Sequence, residues 1–60
     1  MNVQTILNLL DAVTPIDWVD RHGNHTLHSD LVPHNWNVTK LWVDSDGFLV
    51  IHVDGDFNTL

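Results

Sequence analysis

Apolar and polar positions alternate most regularly between Trp36 and Asp54, where two such runs meet at Asp44-Ser45-Asp46-Gly47. Alternation broken by Asp and Gly predicts a β-hairpin. A two-residue type I′ turn at Asp46-Gly47 would set Trp42 against Ile51 and Leu41 against His52, mixing apolar and polar partners. A type I turn over Asp44 to Gly47 closed by a G1 bulge pairs Val43 with Leu49, Trp42 with Val50, Leu41 with Ile51, Lys40 with His52 and Thr39 with Val53. Gly47 then takes the positive φ that only glycine adopts without steric penalty. In this register Leu41, Val43, Leu49, Ile51 and Val53 form the core face. Lys40, Trp42, Phe48, Val50 and His52 lie on the reverse.

The N-terminal stretch has a different period. Val3, Ile6, Leu7, Leu10 and Val13 recur every three or four residues, which predicts an amphipathic helix over about 3–13. Asn2 fits the N-cap, Met1 is placed to staple against Ile6, and Pro15 ends the helix by driving Thr14 out of the α region. A helix this short needs a sheet to dock on.

Between them the chain repeats itself. Trp18-Val19-Asp20-Arg21-His22-Gly23 and Trp42-Val43-Asp44-Ser45-Asp46-Gly47 share W-V-D-x-x-G, and at the same offset Leu27-His28 matches Ile51-His52. The same bulged turn is therefore expected at Asp20 to Gly23, pairing Val19 with His25, Trp18 with Thr26, Asp17 with Leu27 and Ile16 with His28. Val19, Leu27 and Leu31 would join the core face, and Ile16, Trp18, Thr26 and His28 the reverse. That parity also puts Asp17 and His25 on the core side, an inconsistency that burial of Trp18 would relieve. Pro33 breaks the link to the second hairpin, and Trp36 is placed to plug one end of the core. The expected architecture is α+β: one N-terminal helix packed on a four-stranded antiparallel β-meander. Its parts are hairpins over about 16–32 and 38–54 and a tail over 55–60, in a single small domain over 1–60.

Composition narrows the function classes. The chain has 60 residues, no cysteine and a formal charge of −6, and its only bases are Arg21 and Lys40. Phosphate and anionic lipid would repel it, so direct nucleic-acid and membrane binding are both disfavoured. DNA mimicry is weak as well. A domain this size spans roughly 27 Å, a length over which B-DNA carries about 16 phosphate charges, against eight aspartates here. No secretion signal or membrane-length apolar run is present, so the expected location is the cytoplasm.

Candidate chemistry is sparse. His22, His25 and His28 would cluster on a helix, but on a hairpin His25 and His28 point to opposite faces, and no metal site is expected. Asp44-x-Asp46-Gly47 resembles a calcium-loop fragment, yet with Gly47 at the loop's glycine position the coordinating acids would fall at Trp42 and Val53. Ser29 lies between His28 and Asp30, but neighbours along a strand diverge, so no triad forms. No catalytic residue, cofactor or metal is therefore assigned, and the chain reads as a non-enzyme. What remains is the reverse sheet face, where Trp18, Trp42, Phe48, Val50, His28 and His52 are the candidate partner-binding residues. The occupant would be a protein partner or, in the rival reading, a second copy in a homodimer. An acidic inhibitor of a nucleic-acid enzyme is a third reading.

The helix ending in Leu9-Leu10-Asp11, the strand into Asp20-x-x-Gly23, the link Leu31-Val32-Pro33 and the closing hairpin through Asp46-Gly47 into Leu49-Val50-Ile51 together resemble small uncharacterised proteins encoded in phages and prophages of Gram-positive bacteria. The resemblance covers nearly the whole chain and rests on turns and apolar alternation. It implies an accessory protein that binds a host or phage component, and it supplies no functional residues.

Overall fold

A computed structural model describes residues 1–11 and 13–60. Helix α1 (Val3–Leu9) is followed by strands β1 (Ile16–Val19) and β2 (His25–Thr26), a 3₁₀ turn over Ser29–Leu31, strands β3 (Val38–Val43) and β4 (Leu49–Val53), and a second 3₁₀ turn over Phe57–Thr59. The class is α+β, with a four-stranded mixed sheet in the order β2-β1-β4-β3. The expected antiparallel meander is corrected here: each hairpin is antiparallel, but β1 and β4 lie side by side in parallel.

Both Asp-x-x-Gly turns form as expected, because the same side chain organises each. Gly23 and Gly47 have φ of 84° and 83°. Asp20 Oδ1 accepts from the N–H groups of His22 and Asn24, and Asp44 Oδ1 from those of Asp46 and Phe48. Turn geometry then sets register, and Trp18 faces Thr26 while Trp42 faces Val50. A bulge between Val38 and Lys40 shifts the last pair, so that Val38 rather than Thr39 meets Val53. In the first hairpin β2 ends at Thr26, and the expected pairs Asp17/Leu27 and Ile16/His28 do not form.

The parallel contact reverses one hairpin. Take the view in which β1 points up with β2 on its left; β4 is then on the right, also pointing up, and β3 beyond it points down. Rotated in the plane so that β3 points up, the second hairpin has its partner strand on the right. Two hairpins with identical turns but opposite hands must show opposite faces. Trp18 therefore enters the core beside Ile51, whereas Trp42 stays on the reverse. Trp18 is 0% exposed, and its indole N–H donates to Ser29 Oγ at 2.9 Å. This corrects its assignment to the open face. The same reversal carries Asp17 and His25 out of the core, where they pair at 2.9 Å. Val19 also turns to the reverse face, but is buried there in the row between His25 and His52. Leu27 and Leu31, expected in the core, are exposed.

The core joins Val3 and Ile6 of α1 to Trp18, Leu49, Ile51 and Val53 of the sheet and to Val32 of the link. That link crosses the helix face on its way to the far edge and anchors the helix start. Val3 N–H donates to the Trp36 carbonyl, Gln4 N–H to the His34 carbonyl, and Thr5 N–H to Asn2 Oδ1. With Ile6 N–H on the Asn2 carbonyl, every first-turn donor has a partner. Met1, expected as a staple, is exposed; its carbonyl accepts from Val38 N–H instead. The helix is shorter than its periodicity predicts. Asp11 Oδ1 accepts from the backbone of Val13 and Thr14 and from the Thr14 hydroxyl, a local turn that competes with the helix before Pro15 is reached. Val13 is consequently exposed, and position 12 lies outside the described residues.

The tail packs back on the fold. Trp36 stacks on Phe57 with ring centroids 5.8 Å apart, and Gly55 lies against the Trp36 ring so closely that an added Cβ would overlap it. Gly55→Ala is therefore expected to cost about 1–3 kcal/mol, as overpacking does. A urea titration reads this directly, and an unchanged midpoint would show that Trp36 has room to move.

Candidate functional site

A sheet of four strands spaced about 4.8 Å apart is wider than a helix of about 10–12 Å diameter can blanket. Helix α1 has seven residues, and β3 at the far edge is left uncovered. Leu41 and Val43 share a face with the core residues Ile51 and Leu49, yet they are 47% and 67% exposed. Trp42, between them on the opposite face, is 44% exposed. Apolar side chains thus flank the edge strand on both sides of the sheet.

Trp42 is held in place from beneath and beside. Val50 is buried as its cross-strand partner, and the His52 ring lies 4.8 Å from the Trp42 ring at a tilt of 34°. Phe48, half-buried where the turn re-enters β4, has the same parity. Of the six residues singled out in the sequence, the structure brings together Trp42, Val50, His52 and Phe48. Trp18 is in the core, and His28 is exposed beyond β2 at the opposite edge of the sheet. Leu41 and Val43 escaped notice because alternation assigns them to the covered face. The signal that could have found them is helix length against sheet width.

The backbone of β3 is also open. Asp44 N–H donates to the Phe48 carbonyl. Antiparallel alternation then directs the Trp42 and Lys40 backbone toward β4 and that of Leu41 and Val43 outward. At the start of the strand Met1 and Asn2 occupy the edge, through Val38 N–H on the Met1 carbonyl and an Asn2–Asn37 bridge. Among the described residues nothing else pairs with this edge, and the free stretch is 39–43.

Elsewhere several polar groups are committed to structure. Asp20, 2% exposed, accepts through Oδ2 from the Asn24 amide and from Phe57 N–H, tying the tail to the first turn. Burial pushes its pKa up, but the N–H groups of Phe57, Asn24 and His22 and the Asn24 amide together outweigh burial and lower it to about 2. His22 lies 3.3 Å from Asp56, and His34 Nδ1 is 2.8 Å from Gln4 Oε1. Among the described residues no group of three His, Cys, Asp or Glu side chains could hold a metal ion. An open cleft of about 400 Å³ lies between β2 and the tail, lined by His25, Thr26, Leu31 and Phe57 among others. The Thr26 hydroxyl there accepts from His28 N–H, and Ser29 Oγ, outside the cleft, accepts from Trp18. Among the described residues no helix is long and apolar enough to cross a membrane. Comparison with profiles of known families, with curated proteins and with solved structures finds no match.

Proposed function

We propose that this chain is a small non-enzymatic accessory protein that binds a protein partner through the β3 edge, with Trp42 as its anchor. The observation that carries this reading is the run Leu41-Trp42-Val43, exposed on both faces of a strand whose outer backbone is free. Tryptophan concentrates binding energy at interfaces, and a free strand edge accepts an extended segment by main-chain pairing. A formal charge of −6 favours a partner segment flanked by basic residues. Phosphate and anionic lipid are disfavoured by the same charge, and a phage or prophage origin rests on the sequence resemblance alone, as the cytoplasmic location rests on the sequence pattern.

Capture from a lysate of the producing cell, with wild type, Trp42→Ala and Leu9→Ala in parallel, tests the surface. Leu9 is an exposed apolar control on the helix, more exposed than Trp42. A protein retained by wild type and Leu9→Ala but released by Trp42→Ala is the expected result. A protein that Trp42→Ala retains and Asp→Asn changes release would replace this reading with that of an acidic inhibitor.

A further inference from the structure

We propose that, when no other partner holds it, the β3 edge pairs with β3 of a second copy, antiparallel about a two-fold axis at Trp42. This rests on the reading of β3 as the interaction surface and names its first occupant. The opposite edge cannot serve in the same way, since β2 has only two residues.

Register follows from which side chains a two-fold axis would juxtapose. Centred on Lys40, the pairing sets two ammonium groups face to face, which is repulsive. Centred on Leu41, it sets Leu41 against Leu41 and Lys40 against Trp42, but it leaves Val43 opposite Thr39 and Asp44 opposite Val38, so Asp44 finds no cation and Val43 no apolar partner. Centred on Trp42, every position finds a match. The two Trp42 side chains meet in a non-hydrogen-bonded pair, where side chains approach most closely. Lys40 of each copy faces Asp44 of the other, and Leu41 of each faces Val43 of the other. The outward N–H and C=O groups of Leu41 and Val43 satisfy one another across the axis.

Both charged groups are available for this. Lys40 makes no ion pair among the described residues. Asp44 Oδ1 is used by the turn, while Oδ2 has no protein donor among the described residues. Lys40 is the only cation on β3, and of these three registers only this one sets it opposite an acid. Repulsion between two copies of formal charge −6 opposes the pairing, and the strand is short, so the dimer is weak. Strand exchange with a tighter partner then needs no unfolding, because the same edge serves both.

The chain has no cysteine, so single-cysteine variants report register without background. Lys40→Cys, Leu41→Cys and Trp42→Cys each place a thiol on the axis of one of the three registers. Under a glutathione redox buffer, Trp42→Cys is expected to form a covalent dimer at least about tenfold faster than the other two, since its Cβ atoms would lie about 4.5–5.5 Å apart. Sedimentation equilibrium of wild type from about 10 µM to about 1 mM should show a reversible dimer that Lys40→Asp abolishes, with circular dichroism confirming that each variant is folded. Wild type that stays monomeric throughout, with equal cross-linking rates at the three positions, overturns self-pairing and leaves the Trp42-dependent capture to stand or fall separately. Fastest cross-linking at Lys40 or Leu41 overturns the register. A dimer undiminished by Lys40→Asp places self-association on another surface.

Discussion

Trp18→Ala should leave the chain without a cooperative unfolding transition at 25 °C, while Trp42→Ala unfolds much as wild type does. Removing a fully buried tryptophan costs about 3–5 kcal/mol. A 60-residue domain is stable by roughly 3–9 kcal/mol in total, and this one has no disulfide to fall back on. Trp18 sits where α1, β1 and β4 meet, and its loss would also leave Ser29 Oγ without the indole donor. Trp42 is nearly half exposed at an edge, and its truncation should fall within about 1 kcal/mol of wild type. Far-UV circular dichroism against urea distinguishes the two. The reverse ordering would mean that the second hairpin, not the first, turns its tryptophan to the helix, and the surface assigned to β3 would fall with it.

That contrast also shows where sequence reasoning reached and where it stopped. Turn chemistry is local, so Asp20, Gly23, Asp44 and Gly47 reveal both bulged turns, and with them the pairings Trp18/Thr26 and Trp42/Val50. Strand adjacency is not local. No periodicity within β1 or β4 records that Ile16 lies beside Leu49 or Trp18 beside Ile51, and the simplest assumption, that consecutive hairpins sit side by side, gives the wrong hand to one of them. The trace of this error was present in Asp17 and His25, whose placement on the core side had no physical justification. Their pairing on the open face shows that two misplaced polar residues were better witnesses to topology than the apolar pattern around them. The candidate surface was half legible for the same reason: Trp42, Val50 and His52 follow from the second turn alone, whereas Trp18 depended on the hairpins' arrangement. Leu41 and Val43 needed the extent of the helix, which Asp11 cuts short.

The tail should be released by acid, and Asp20 is the group that releases it. Its carboxylate pKa is lowered in the folded chain to about 2 from an ordinary value of 3.8. The folded state thus holds this group ionised where the unfolded chain has begun to protonate it. The stabilisation is complete above pH 3.8 and is lost as pH falls toward 2. Asp11, lowered in the same direction by the Thr14 hydroxyl and the Val13 N–H, adds to the trend. Asp20→Asn should lower the urea midpoint at neutral pH more than Asp44→Asn does, and should flatten the fall between pH 5 and pH 2. The reason is geometric. Asp20 Oδ1 faces two N–H donors and Oδ2 faces two more, including Phe57 N–H from the tail. An amide in either orientation turns its own N–H₂ toward two of them. Among the described residues Asp44 has no donor from another element, so the same change there disturbs one turn only. Proton uptake on unfolding near pH 3 that is the same in wild type and Asp20→Asn would show that some other carboxylate carries the acid sensitivity. The buried turn aspartate would then hold the tail by hydrogen bonding alone.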